Sequence, residues 1–346
     1  QNLNKLIIMN ILKRGVIAMM LVAVTNSAIL VSCCQQETSL DFVQCEVLSS
    51  MEQYPDSSYF KEISCMYYQN NKLYLFDKSR GDVAVDDFSG NLFYTVGKIG
   101  QGPTEVAAPT GFSVLPNGNV ALLDGGNLSL KIYNESGFVT SYDVPSGSDN
   151  RFFTEGNKTY LTLATDTSSY VKTSSSWKRG TNDGLELHGS SLHITDDPGM
   201  NIIRNRRHLV KGEGCLYAIP SSYPVIERYE LGSEKLLDTF DLSEIDCIGN
   251  IWSSIGRNTS SPKSFYIFLK DVYYADGKLY ILYADWENQY SVNHILVLET
   301  KGRLTPIYIY KLPGIIYDSF AVNDNLIYAM NYEKNEIQTI RPLISH

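Results

Sequence analysis

Residues 97–137 read Gly97-Lys98-Ile99-Gly100-Gln101-Gly102-Pro103-Thr104-Glu105, then Pro109-Thr110-Gly111-Phe112-Ser113-Val114, Pro116-Asn117-Gly118, Asn119-Val120-Ala121-Leu122-Leu123-Asp124 and Leu128-Ser129-Leu130-Lys131-Ile132-Tyr133, closing on Gly137. Three short apolar runs are separated by Pro-Asn-Gly, by Asp124-Gly125-Gly126-Asn127 and by Asn134-Glu135-Ser136-Gly137. Gly and Asn tolerate positive φ and Asp closes Asx-turns, so the pattern predicts a meander of antiparallel strands. A fourth run, 138–144, follows, and four strands in a meander make one propeller blade.

The second strand of that unit is the marker to search for elsewhere, because a missed repeat misassigns the whole fold. It returns at 72–77, 158–163, 215–219, 278–283 and 325–330, in most cases behind a turn such as Asn70-Asn71, Gly156-Asn157 or Asp276-Gly277. The spacings run from about 40 to 63 residues, the propeller range stretched by insertions. Six units result. Innermost strands are expected at 60–68, 202–210, 266–275 and 315–322. The third unit is irregular, with a thin strand at 168–173 and a polar, Gly-containing stretch at 174–199. The sixth unit has only three strands before the chain ends. Residues 40–48 alternate, Val43, Cys45 and Val47 against Gln44 and Glu46, with no hairpin partner of their own. The expected fold is therefore an all-β, six-bladed β-propeller over 40–346, closed by this N-terminal strand completing the last blade.

Composition agrees and excludes some functions. The 346 residues are 43% hydrophobic, and 24 Tyr with 13 Phe suit strands. Net charge is −9, and residues 1–32 contribute Lys5, Lys13 and Arg14 without an acid, so the remainder is more acidic still. An acidic body lacks the basic footprint that a phosphate backbone demands, so no nucleic-acid partner is expected. Residues 1–33 read as an address: Met9 as a start, Lys13-Arg14 as a positive n-region, 15–31 as an apolar h-region, then Leu30-Val31-Ser32-Cys33. That last tetrad resembles a bacterial lipobox, which implies cleavage before Cys33 and lipidation of its thiol. Residues 34–39 would form a short tether, and the membrane partner would be reached through the lipid anchor. An uncleaved transmembrane anchor is the competing reading, against which the run is short. The expected location is extracytoplasmic, on the outer membrane of a Gram-negative cell.

The blade at 97–137 looks like that of NHL-type six-bladed propellers, with Pro109, Gly111, Gly118, Asp124, Asn127, Tyr133 and Gly137 in the expected order. Residues 100–105 also resemble the Gly-Arg-Gly-Pro-Gly-Glu signature of six-bladed propeller lipoproteins of Bacteroides-type bacteria, with Thr104 departing from the glycine. That resemblance implies a fold and an address but no reaction.

Loops joining second to third strands share a rim with the loops joining blades, and loops on a rigid scaffold are where binding resides. On that rim, Trp252, Trp286 and Tyr290 are candidates to stack on a sugar ring or partner surface. Lys61, Arg151 and Arg207, at the openings of innermost strands, are candidates to line the channel mouth, and Glu105 belongs to the interblade turn. Asp77 and Asp124 are read as turn closures. No catalytic residues are expected: a GxSxG elbow, a Walker loop and a dinucleotide fingerprint are all missing. Cys45, Cys65, Cys215 and Cys247 have neither CxxC nor zinc spacing, so no metal or other cofactor is expected. One disulfide among them is possible in an oxidising compartment, with buried thiols the alternative. The reading is a binding or scaffolding module for a glycan, a peptide or a partner membrane protein. The alternative is a hydrolase or lyase, lactonase-like, working through a metal in the channel.

Overall fold

Within each blade consecutive strands pair through connections of two to ten residues, so the sheets form locally and the packing between them is what the fold must solve. The computed structural model describes residues 40–87, 92–147, 150–165, 168–181, 183–258, 266–285 and 290–344. Blade 1 holds β2 (Ile63–Gln69), β3 (Lys72–Asp77), β4 (Asp82–Asp86) and β5 (Phe93–Val96). Blade 2 holds β6 (Pro109–Val114), β7 (Val120–Asp124), β8 (Ser129–Asn134) and β9 (Gly137–Asp143). Blade 3 is β10 (Phe153–Glu155), β11 (Lys158–Leu161), β12 (Tyr170–Ser174) and β13 (Leu185–His188), and blade 4 is β14 (Arg207–Lys211), β15 (Cys215–Pro220), β16 (Val225–Glu230) and β17 (Leu236–Asp241). Blade 5 is β18 (Leu269–Ala275), β19 (Lys278–Asp285), β20 (Ser291–Glu299) and β21 (Thr305–Lys311). Blade 6 adds β22 (Tyr317–Asn323), β23 (Leu326–Asn331) and β24 (Glu336–Pro342).

The strand β1 (Asp41–Met51) closes the ring. Residues 45–51 run antiparallel to β24, from Cys45 opposite Pro342 to Met51 opposite Ile337, and supply the fourth strand of blade 6. Residues 41–44 run parallel to β21, from Asp41 opposite Tyr308 to Gln44 opposite Lys311. One strand therefore covers the outer edges of two blades, and blades 5 and 6 merge into a single eight-stranded sheet.

Between blades the first, second and third strands present apolar faces to one another. Phe76 and Val85 meet Phe112 and Leu122 between blades 1 and 2, and Tyr170 meets Leu209 and Tyr229 between blades 3 and 4. At the rim a single hydrogen bond recurs. The N–H leaving the second strand donates to the carbonyl of the segment leading into the first: Lys78 to Glu62 at 2.9 Å, Gly125 to Ala108 at 2.8 Å, Ala164 to Ser146 at 3.0 Å, Ser221 to Arg206 at 3.2 Å, Ala284 to Phe268 at 2.9 Å and Tyr332 to Ile316 at 3.0 Å. In blades 1 and 2 the turn aspartates add to it. Asp77 accepts from the N–H groups of Lys61, Glu62 and Arg80, and Asp124 from those of Ala107, Ala108, Gly126 and Asn127. Burial alone would raise the Asp124 carboxyl, but these donors hold it below the usual carboxylate range.

Two segments differ from the sequence expectation. Innermost strand 202–210 is split: α1 (Pro198–Arg204) occupies its first half, capped by Asp197, whose carboxylate accepts from Met200 N–H at 2.8 Å, and β14 starts only at Arg207. Pro at the first helical position and an Asx cap outweigh the β-branched Ile202-Ile203 pair. The long excursion after blade 4 carries a 3₁₀ turn (Leu242–Glu244) and α2 (Asp246–Asn258). Ile248, Ile251 and Ile255 form a buried stripe on that helix, and Gly249 lies where a Cβ would strike the Ser243 carbonyl. Tertiary packing overrides the poor helix propensity of its Gly, Asn and Ser residues. Blade 3 is complete but short, with residues 170–173 of β12 paired to 188–185 of β13. All four described cysteines are free thiols.

The centre of the ring is locked. Arg151, 4% exposed, places Nε 2.5 Å and Nη2 2.7 Å from the two oxygens of Asp271 on β18. It also donates to the carbonyls of Met66 on β2 and Phe320 on β22, at 3.0 and 2.9 Å. Tyr67 and Tyr273 flank the guanidinium, with ring centres 4.9 and 5.3 Å away. Asp271 completes its set with the N–H groups of Val272 and Phe320, at 2.9 and 3.1 Å. Burial opposes the charge on Arg151, and Asp271 outweighs it, holding the guanidinium well above its ordinary pKa. The segment opening blade 3 is thus tied to blades 1, 5 and 6 across the axis.

Two outcomes follow for stability. Val43, 8% exposed in β1, is where a charge cannot be solvated: Val43→Asp is expected to cost about 2–4 kcal/mol in denaturant unfolding, whereas Leu48→Asp, 45% exposed, stays within about 0.5 kcal/mol. Arg151→Met strands the Asp271 carboxylate and is expected to cost about 3–5 kcal/mol, and Arg151→Met with Asp271→Leu to recover part of it, because the stranded charge is gone.

Candidate functional site

First strands begin on the rim where second strands end, so their opening residues ring the mouth of the central channel. There a cavity of about 530 Å³ opens, with contributions from all six blades and from α1. That volume suits a small ligand. Its floor is the Arg151–Asp271 pair, so the depression is a bowl and not a pore.

The wall is built by strand alternation and by the turns just described. Glu62 and Lys78 face it from blade 1, held together by the Lys78–Glu62 backbone hydrogen bond, and Glu62 accepts from Ser79 Oγ at 2.5 Å. Lys270 of β18 and Asp318 of β22 form an ion pair at 2.7 Å. Arg206 opens blade 4, and its Nε is shielded from solvent with no hydrogen-bond partner among the described residues. Beside it runs a polar chain: Asn150 Nδ2 donates to Ser221 Oγ at 3.1 Å, and Ser221 Oγ lies 3.1 Å from His208 Nε2. Apolar surface comes from Met200 and Ile203 on α1 and from Ile267. Cys65 also lines the bowl, and burial pushes its thiol up to about 12, so it stands there protonated and unreactive.

The residues singled out from sequence scatter. Arg151 reaches the bowl as its floor, with its donors committed to Asp271 and to backbone. Arg207, 0% exposed, points the other way: its guanidinium meets Glu227 at 2.9 and 3.2 Å and donates to the carbonyls of Asn205 and Ser190. Because α1 ends at Arg204, the alternation places Arg206 and His208, not Arg207, toward the channel. Lys61 is exposed and lies outside the bowl lining; its N–H serves Asp77. Glu105 is spent on its own loop, accepting from Gly102 N–H at 2.9 Å, and a Cβ at Gly100 would overlap its carboxylate. Trp252 lies half-buried on α2, its ring 5.3 Å from Tyr223, 6.0 Å from Tyr266 and 5.8 Å from Phe268. Tyr290 is 60% exposed on the rim, with φ +58°. Trp286 and Cys33 lie outside the described residues.

Lys78 and Lys270 were missed, although each follows from a rule: they sit one residue past a second strand or at the start of a first strand; Arg206 was missed because the end of α1 sets its parity. Among the described residues no three His, Cys, Asp or Glu side chains gather as metal ligands. Asp271, the deepest carboxylate of the bowl, is held by Arg151.

A family model and a solved structure agree with this architecture. A family model described as a 6-bladed β-propeller matches residues 53–221. A Bacteroides fragilis protein described as exported has a crystal structure similar to this one, with a TM-score of 0.57 and 17% identity over 87% of this chain and 96% of its own. An inactive variant of virginiamycin B lyase from Staphylococcus aureus, crystallised with quinupristin, aligns with a TM-score of 0.47 and 13% identity over 82% of this chain and 80% of its own. No curated protein matches. The chain is a six-bladed β-propeller whose last blade is completed by its N-terminal strand.

Proposed function

We propose that this propeller is an exported binding module, anchored by lipid at Cys33, which holds a small glycan or peptide fragment, or the tip of a partner membrane protein, in the mouth of its central channel. The observation that carries this reading is the bowl itself. Six blades converge charged and hydrogen-bonding side chains on a cavity of about 530 Å³ with an apolar flank and a floor sealed by a salt bridge. Concave sites with a few convergent polar groups are the usual form of a small-ligand site. The apolar run before Leu30-Val31-Ser32-Cys33 supports export and lipidation, and the similar Bacteroides fragilis protein is itself described as exported. An outer-membrane address extends the same reading. Tyr290, 60% exposed, is a rim contact for a larger ligand.

Ser64 is exposed on β2 and faces the bowl, so Ser64→Trp fills the cavity without disturbing the core. On glycan and peptide arrays the wild-type signal is expected to vanish in Ser64→Trp with an unchanged melting temperature. A signal that survives Ser64→Trp but falls in Tyr290→Ala moves the site to the rim. Feeding cells an alkynyl fatty acid is expected to label the wild-type protein, while Cys33→Ala loses the label and leaves the membrane fraction. A label that persists in Cys33→Ala defeats the anchor assignment.

A further inference from the structure

Charges around the bowl do not balance. Lys78, Arg206 and Lys270 face Glu62 and Asp318, while Arg151 and Asp271 neutralise each other in the floor. One positive charge is left over in the mouth of a chain whose net charge is −9. Its location is specific. Lys270 is paired with Asp318 at 2.7 Å, whereas Arg206 has neither an ion pair nor a side-chain hydrogen bond among the described residues, and its Nε is out of reach of water. A guanidinium that lines a cavity without an acceptor favours the arrival of one.

Arg206 is also held in place. Ser221 N–H donates to its carbonyl at 3.2 Å, its own N–H donates to Ile203 O at 3.3 Å, and the next residue, Arg207, is locked on Glu227. The polar chain Asn150–Ser221–His208 stands alongside. Met200 and Ile203 lie on one side and Ile267 on another.

We propose that Arg206 anchors a single carboxylate of a small, otherwise neutral ligand, which rests its body against Met200, Ile203 and Ile267. A planar guanidinium fork matches a carboxylate through two parallel hydrogen bonds. One excess positive charge matches one negative charge, whereas the second charge of a dianion would face the carboxylates of Glu62 and Asp318 that also line the bowl. Phosphate esters are thereby disfavoured. The inference deepens the binding role of the bowl and rests on it. A uronic acid and the C-terminus of a short peptide both supply the required group.

The test uses matched pairs on the purified protein: a disaccharide bearing one uronic acid with its methyl ester, and an N-acetylated dipeptide with its C-terminal amide, plus a hexose 6-phosphate. Saturation-transfer NMR detects binding and calorimetry ranks it. One acid is expected to bind, with its neutral partner and the phosphate at least about tenfold weaker. Arg206→Gln is expected to remove that tenfold with no loss of melting temperature, while Lys301→Gln, an exposed cation on the outer turn of blade 5, removes nothing. The acid pair that responds identifies the source of the carboxylate. Neutral partners binding as tightly as the acids, a phosphate binding more tightly, or Arg206→Gln binding like wild type each overturn the carboxylate anchor and leave the bowl as a site. An acid that binds Ser64→Trp as well as wild type overturns the bowl itself. Silence from both acids at about 5 mM, beyond the weakest affinity of use to a binding module, overturns the carboxylate anchor as well.

Discussion

A propeller ring has a hole where other folds have a core, and here the hole is stopped by one buried ion pair. Arg151 and Asp271 give up water, and a cation and an anion in a dry site are favourable only if their remaining donors and acceptors are used. Most are: the carbonyls of Met66 and Phe320 and the N–H groups of Val272 and Phe320 serve the pair, and two tyrosine faces flank it. The result ties the opening of blade 3 to blades 1, 5 and 6. It also fixes the depth of the bowl, because whatever enters the mouth meets a neutral, hydrogen-bonded floor.

That arrangement explains the division of labour among the charges. Arginines look alike in sequence, yet three of them in this region serve separate ends. Arg151 closes the axis, Arg207 fastens the segment at 190–205 to Glu227, and Arg206 faces the cavity with an unspent nitrogen. Neighbours at 206 and 207 differ because strand geometry alternates sides.

The same geometry marks how far reading the chain could go. Turn residues at Asn117-Gly118 and Asp276-Gly277, with β-branched and aromatic runs between them, place most second strands to within a residue or two, since those signals are local. The pairing of β1 with blade 6 was legible as well, because an orphan alternating segment and a three-stranded last blade have complementary needs, whereas the parallel pairing of residues 41–44 with β21 was not. Positions 198–211 were not legible. Whether Ile202-Ile203 extends a strand or ends a helix depends on an Asp197 cap and on a wall for α1 to pack against, and a shift of one residue there exchanges Arg206 for Arg207 in the cavity. The excursion to α2 failed for a related reason: its isoleucine stripe becomes a helix only because blades 4 and 5 offer a surface to bury it. Trp252 followed, drawn under its own helix by Tyr223, Tyr266 and Phe268 instead of standing on the rim.

The double pairing of β1 has a mechanical side. Tension applied at Leu40 runs along the strand axis, so the rungs to β21 and then those to β24 resist by sliding, all together, and do not open one at a time like a zip. The chain enters the disc by the seam that holds the disc shut. A pull from that end is shared between two neighbouring blades, and the seam is a strap sewn to both edges it joins.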